Sequence, residues 1–238
     1  MSLNYYFFLL TDFIDRKITP GFKIKKQELV IDIGSGDKPF WRGDVFLDNL
    51  KLGNKQRITG KDTIHHLGTF VNGDITKTKF KNKTFDFSFC SHLLEHVEYP
   101  DLVIKEIVRI SKRGYIEVPN GLLESIKPFH SHLWFVYFVN GKLLFIRKSE
   151  KSHDILTVNG KPYHNLIPKI KNPFIRIYWE KSIPFEIIDD GTRFKKFTVK
   201  NIKNNKQHKK TFDYYMLLVT LLRKFFYSQK NVKYIIYK

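Results

Sequence analysis

The sequence predicts an α/β fold: a mostly parallel sheet with helices on both faces, antiparallel edge strands, and a C-terminal hairpin or cap followed by a terminal helix. Three observations carry this expectation. Short apolar runs alternate with polar or helical stretches up to about Asn120, the pattern of a parallel sheet. The first of these runs, residues 29–33, breaks directly into Gly34-Ser35-Gly36, a strand ending in a turn with almost no side chains. Past Asn120 the texture changes to hairpin and aromatic strand signals and closes on an apolar helix.

The expected strands of the first half are residues 28–33, 44–47, 69–72, 85–90 and 114–118. Between the last two, Leu102, Val103, Ile104, Ile107, Val108 and Ile110 recur at helical spacing. Asp101 starts that helix and Lys112-Arg113-Gly114 ends it. Residues 49–67 have weak periodicity and two glycines, so a loop with at most a short helix is expected there. In the second half, 134–138 and 143–147 flank Asn140-Gly141, a strong hairpin signal. A further extended run, 174–179, leads to Pro184-Phe185-Glu186-Ile187-Ile188. Together these are expected to supply the antiparallel edge of the same sheet and a cap. The basic stretch 195–210 reads as a linker, and 214–227 as a helix apolar nearly all round and therefore packed. The whole, 1–238, reads as one domain: a core over 28–120, a cap with edge strands over 121–192, and a linker with terminal helix over 193–238.

Composition narrows the classes. A chain of 238 residues with 42% hydrophobic and 16% aromatic residues buries a large core and is not disordered. Cys90 is the single cysteine, which excludes an internal disulfide and a cysteine metal cluster; a reducing cytoplasm is the simplest setting. The N-terminal run NYYFFLL lacks a basic start and soon meets Asp12 and Asp15, unlike a signal peptide. No apolar stretch reaches the roughly 18–20 residues that span a bilayer. The aromatic N-terminus and the 214–227 helix are expected to pack on each other; peripheral membrane association through a shared patch is the alternative. A net charge of +19 invites an RNA partner. The lysine excess, however, accompanies abundant Asn, Ile, Phe and Tyr, as an AT-rich coding sequence would produce.

Four features follow the glycine turn in order. Asp48 ends the second strand, where a carboxylate can accept both hydroxyls of a ribose. Asp74 follows the third strand, placed to accept from an adenine amino group. Asp86 opens the fourth strand and reads as structural, and Ser91-His92-Leu93-Leu94-Glu95-His96-Val97 follows its end, where a substrate would approach. The set fits adenosine at the carboxyl ends of a parallel sheet. A nicotinamide site would need glycine where Pro39 stands, and no Gly-Lys-Ser/Thr marks a P-loop. Singly, Asp32 also reads as a strand-end cap, and Asp48 and Asp74 as loop carboxylates. His65-His66 are adjacent and His130 and His132 lie two apart, but no carboxylate or cysteine pattern completes a metal site, so none is expected.

The segments IDIGSGDKP, GDI, FDFSFCSHLLEHVEYPD and EIVRISKRGYIEVPN resemble the class I S-adenosylmethionine-dependent methyltransferases, more narrowly the branch labelled type 11. The resemblance implies a Rossmann-like fold, S-adenosyl-L-methionine as cofactor, and transfer of a methyl group to an O or N atom of a small-molecule or glycan-type acceptor. By position, it implies that Asp32, Gly34, Ser35 and Gly36 hold the methionine end. Asp48 would bind the ribose, Asp74 with Ile75 would frame the adenine, and Ser91-His92 would line the methyl-transfer side. Lys38 replaces the usual third glycine and Pro39 follows it, so the first helix is expected to be short. Enzymes of DNA-base amines carry Asn/Asp-Pro-Pro-Tyr/Phe after strand four; Cys90-Ser91-His92-Leu93 stands there instead. A histidine near the methyl group suits deprotonation of a hydroxyl. His92 is the first candidate for that catalytic role and His132 the second. An RNA or protein acceptor, or an adaptor that keeps the fold without turnover, are the alternatives.

Overall fold

The apolar runs form strands where expected. The computed structural model of the chain describes residues 3–18, 21–36, 38–49, 67–126, 129, 131–148, 173–189, 191 and 206–227. The first five strands are β1 (Val30–Ile33), β2 (Val45–Asp48), β3 (Thr69–Asn72), β4 (Phe85–Ser91) and β5 (Ser111–Pro119). With β8 (Phe174–Glu180) they make a six-stranded sheet of order β3-β2-β1-β4-β5-β8. The first five run parallel, and β8 is antiparallel to β5. The order reverses between β1 and β4, the switch point at which open α/β sheets leave a crevice.

Each face of the sheet has its own layer. α2 (Pro100–Ile110) begins on a proline, whose missing N–H would have been unsatisfied in the first turn anyway. Its Val103, Ile104, Ile107 and Ile110 are fully buried in one cluster with Ile31, Ile33, Val45 and Leu47, each contributing about 1.5–3 kcal/mol of apolar burial. The opposite face carries an aromatic layer of Phe40, Phe87, Phe89 and Tyr115 around Val30. Phe40 and Phe89 stack 4.3 Å apart, and the edge of Phe22 meets Phe40, Phe89 and Tyr115.

The two terminal helices pack on each other. Phe13 of α1 (Leu3–Lys17) meets Tyr215 of α4 (Lys206–Phe226) edge to face at 5.1 Å, and both join Phe46, Leu67 and Val219 in a third buried cluster. α4 also reaches the loop after the glycine turn. The Tyr215 hydroxyl donates to the Pro39 carbonyl at 2.9 Å. The Arg223 guanidinium donates to the carbonyls of Trp41 (2.8 Å), Gly43 (2.7 Å) and Leu67. Leu217, Leu221, Phe225 and Phe226 stay exposed, so α4 is less completely packed than its sequence implied. Among the described residues no helix is long and apolar enough to cross a membrane.

Three expectations need correction. The hairpin of β6 (Trp134–Val139) and β7 (Lys142–Arg147) forms around Asn140 and Gly141, with φ of 50° and 77°, as its turn chemistry requires. It does not extend the main sheet. Instead β7 pairs in parallel with β9 (Phe185–Ile188) in a separate three-stranded sheet. β8 occupies the edge beside β5 from Phe174 to Glu180, while Trp134, Val136, Leu143 and Phe145 bury against the main core. Between β1 and β2 the described residues form turns and no helix. Pro39 disfavours helical backbone at Lys38, and α4 claims the loop's carbonyls. Finally, α4 begins at Lys206, so 206–210 is helix rather than linker. The short helix α3 (Gly121–Ile126) lies where only a change of texture was read. Residues 50–66 and 195–205, with His65, His66 and His130, lie outside the described residues.

Candidate functional site

The glycine turn takes the shape that its sequence requires. Gly34 and Gly36 have φ of 70° and 50°, the left-handed region that residues with a Cβ rarely enter. Their amides, however, are committed to β2 rather than open to a ligand. Gly34 N–H donates to the Leu47 carbonyl at 2.8 Å, and Gly36 N–H donates to Asp48 Oδ2 at 2.8 Å. The turn therefore locks the carboxylate at the end of β2 into place.

Beside it lies a cavity of about 370 Å³, of the size that takes small ligands. Its walls come from the carboxyl ends of three neighbouring strands: Ile33-Gly34 after β1, Leu47-Asp48 of β2, and Gly73-Asp74-Ile75 after β3. Leu93 and the run His96 to Tyr99, in the turn after β4, close the other side. Asp74 caps the short 3₁₀ turn Ile75–Lys77, its Oδ1 accepting from Thr76 N–H and Oγ at 2.8 Å.

Of the expected site residues, Gly34, Asp48, Asp74 and Ile75 line this cavity. Asp32, Ser35, Gly36, Ser91, His92 and His132 do not. Strand alternation turns Asp32 away from the face of Ile33, and its Oδ2 accepts from Phe40 N–H at 2.7 Å. Ser91 Oγ donates to Glu117 Oε1 at 3.0 Å. His92, at a φ of 56°, donates its backbone N–H to the Glu117 carbonyl at 2.9 Å and sets Nδ1 3.0 Å from Glu95 Oε1. His132 is buried with Nδ1 2.8 Å from Glu124 Oε2. Of the run after β4 where a substrate is expected to approach, Leu93, His96 and Val97 line the cavity, and Glu98 and Tyr99, just beyond that run, complete the wall.

Burial pushes the Asp32 carboxyl up to about 7, against the pull of Lys17 and of the Phe40 amide, with Asp48 adding to the rise. In the unfolded chain it ionises near about 4. Between those values the folded state holds the extra proton, so this contribution to stability is fullest below pH 4 and is lost as pH rises to 7. Asp32→Asn, which keeps an oxygen for Phe40, is expected to gain more stability over the natural chain at pH 8 than at pH 5. Urea titrations of both proteins at the two pH values check this, and equal gaps would refute it.

The family model described as a methyltransferase domain matches residues 47–116. Match and sheet order point the same way: residues 47–116 are similar to a methyltransferase domain, and the sheet that contains them has the strand order of a Rossmann-like α/β fold. The matched segment begins at Leu47, so Asp32 and the glycine turn precede it. No curated protein matches the sequence. Similar solved structures include a Pyrococcus horikoshii protein at 16% identity, covering 65% of this chain and 80% of that one, with a TM-score of 0.42. A Thermotoga maritima S-adenosylmethionine-dependent methyltransferase is 13% identical over 49% of this chain and 56% of its own, with a TM-score of 0.39. A Haloferax volcanii methyltransferase solved with the Trm112 methyltransferase activator is 19% identical over 54% and 61%, with a TM-score of 0.35. The chain covers less than two thirds of the length of several of the structures it is similar to, among them the Haloferax volcanii and Thermotoga maritima proteins. None of them says what this chain acts on.

Proposed function

We propose that the chain is an S-adenosylmethionine-dependent methyltransferase acting on an O or N atom of a small-molecule or glycan-type acceptor. The observation that carries this reading is the meeting of Gly34, Asp48 and Asp74, from the ends of three neighbouring strands, on one cavity. The residues present fit the cofactor. Asp48, steadied by the Gly36 amide, is a ribose acceptor, and Asp74 with the apolar Ile75 frames an adenine. Asp32, Ser35 and Gly36 act from behind, holding the turn that faces the methionine end. When bound, S-adenosylmethionine supplies an already activated methyl group. The chain's own work is to orient the acceptor, exclude water and, for a hydroxyl, take a proton. Burial lowers the pKa of the His96 imidazole despite the opposing pull of Glu95, which favours the neutral ring. On the proposed reading His96, which lines the cavity, meets the acceptor, with His132 against its ring and His92 joined to it through Glu95. In this reading 1–238 is one domain, with 28–120 binding cofactor and 121–192 shaping the acceptor side.

Calorimetry tests the cofactor. Micromolar-range binding is expected for the natural chain, weakened by about 10–100-fold (about 1.4–2.7 kcal/mol) in Asp48→Ala; unchanged binding in that variant would sink the reading. A labelled methyl donor offered with small molecules, glycans and RNA reports the acceptor. Label in RNA alone would move the acceptor class, and binding without transfer to any acceptor would favour an adaptor.

A further inference from the structure

Three ligand-type side chains that the sequence separates come together at the cavity wall. Glu95 and His96 lie in the turn after β4, and His132 lies just before β6; one ligand atom from each falls within 4.8 Å of the others. Both imidazoles are held as metal-binding imidazoles are. His96 Nδ1 lies 3.0 Å from the Ser131 carbonyl, which can only accept, so that nitrogen carries the proton and Nε2 presents its lone pair. His132 Nδ1, 2.8 Å from Glu124 Oε2, has the same tautomer for the same reason. The two rings meet edge to face at 4.6 Å. Glu95 is buried, only 1% exposed. Its Oε1 holds His92, while Oε2 has no hydrogen-bond partner among the described residues. A buried carboxylate oxygen without a donor is costly unless a cation answers it.

We propose that Glu95, His96 and His132 form a binding site for a first-row divalent cation. Two imidazole nitrogens and one carboxylate oxygen suit zinc, cobalt, iron or manganese better than calcium. Atoms bound to one such ion at about 2.1 Å stand roughly 3–4 Å apart. Loading therefore closes the cluster by small rotations, chiefly of His96, whose side chain is 37% exposed. Glu124 is the supporting carboxylate behind His132, and Lys148 holds Glu124 in turn. Three protein ligands leave a position open. His96 also lines the cavity, so an acceptor oxygen is the natural further ligand. That role rests on the methyl-transfer reading, whereas the cation site itself does not.

The test uses the full, untagged chain, stripped with a chelator and containing no S-adenosylmethionine. Zn²⁺ is titrated by calorimetry and Co²⁺ by visible absorption. One equivalent should bind, at least tenfold more weakly in Glu95→Gln and in His96→Gln, and about 10–100-fold more weakly in Glu124→Gln. Far-UV circular dichroism shows that each variant is folded. In the natural chain, Zn²⁺ should shift the ¹⁵N resonances of His96 and His132 Nε2 while both Nδ1 stay protonated. Equal affinity in the natural chain and His96→Gln, or shifts confined to other histidines, overturns the site. S-adenosylmethionine affinity is measured separately, and its absence would undo the methyl-transfer reading while leaving the cation site standing.

Discussion

Replacing Gly34 with arginine is expected to abolish S-adenosylmethionine binding, a loss of at least about 100-fold (about 2.7 kcal/mol), in a chain that still folds. Gly34 sits at a φ of 70°, where any other L-residue costs about 1–2 kcal/mol. A Cβ there would stand 3.1–3.2 Å from the side chain of Leu93. Gly34 and Leu93 both line the cavity, so the rest of an arginine side chain has the cavity itself to occupy. The cost to the fold is small beside a typical stability of about 5–15 kcal/mol. Calorimetry with far-UV circular dichroism on the same sample separates the two effects. Natural affinity in the variant would show that the cofactor binds elsewhere.

The largest effect on stability is expected from Glu124→Ala. Lys148 is wholly buried, with its ammonium on Glu124 Oε1, and burial pulls its pKa down despite that partner. Glu124 also accepts from Phe129 N–H at 2.7 Å and from His132. Removing the carboxylate leaves an ammonium buried without its counter-ion, a loss of about 3–5 kcal/mol. In a chain of this size that lowers the melting temperature by roughly 10 °C. The double variant Glu124→Leu, Lys148→Met, which removes both charges and fills the space, should recover most of the loss. A single-variant cost below about 1 kcal/mol, by urea titration, would contradict this account.

What the sequence revealed is what local chemistry dictates. Asn140-Gly141 announced a hairpin because few other residue pairs adopt two positive φ angles in succession, and the spacing of Ile104, Ile107 and Ile110 announced a helix face. Asp48 and Asp74 were legible because a carboxylate just past a parallel strand has few places to go but the crevice. Which sheet the hairpin joined was not legible, since β8, distant in sequence, takes the edge beside β5. Nor was the meeting of Glu95 with His132, which depends on contact between distant segments, whereas strand alternation next to Ile33 is by itself enough to turn Asp32 from the cavity. The hydrogen bonds of Tyr215 and Arg223 to the loop after the glycine turn leave no trace in any local window.

Those last bonds give the molecule a temporal order. The loop at Pro39–Gly43 leaves the ribosome well before the side chains that tie down its carbonyls, which are translated some 180 residues later. Until Arg223 has left the exit tunnel, the segment next to Gly34–Gly36 lacks its anchor. The glycine turn is thus synthesised well ahead of the groups that secure the loop beside it.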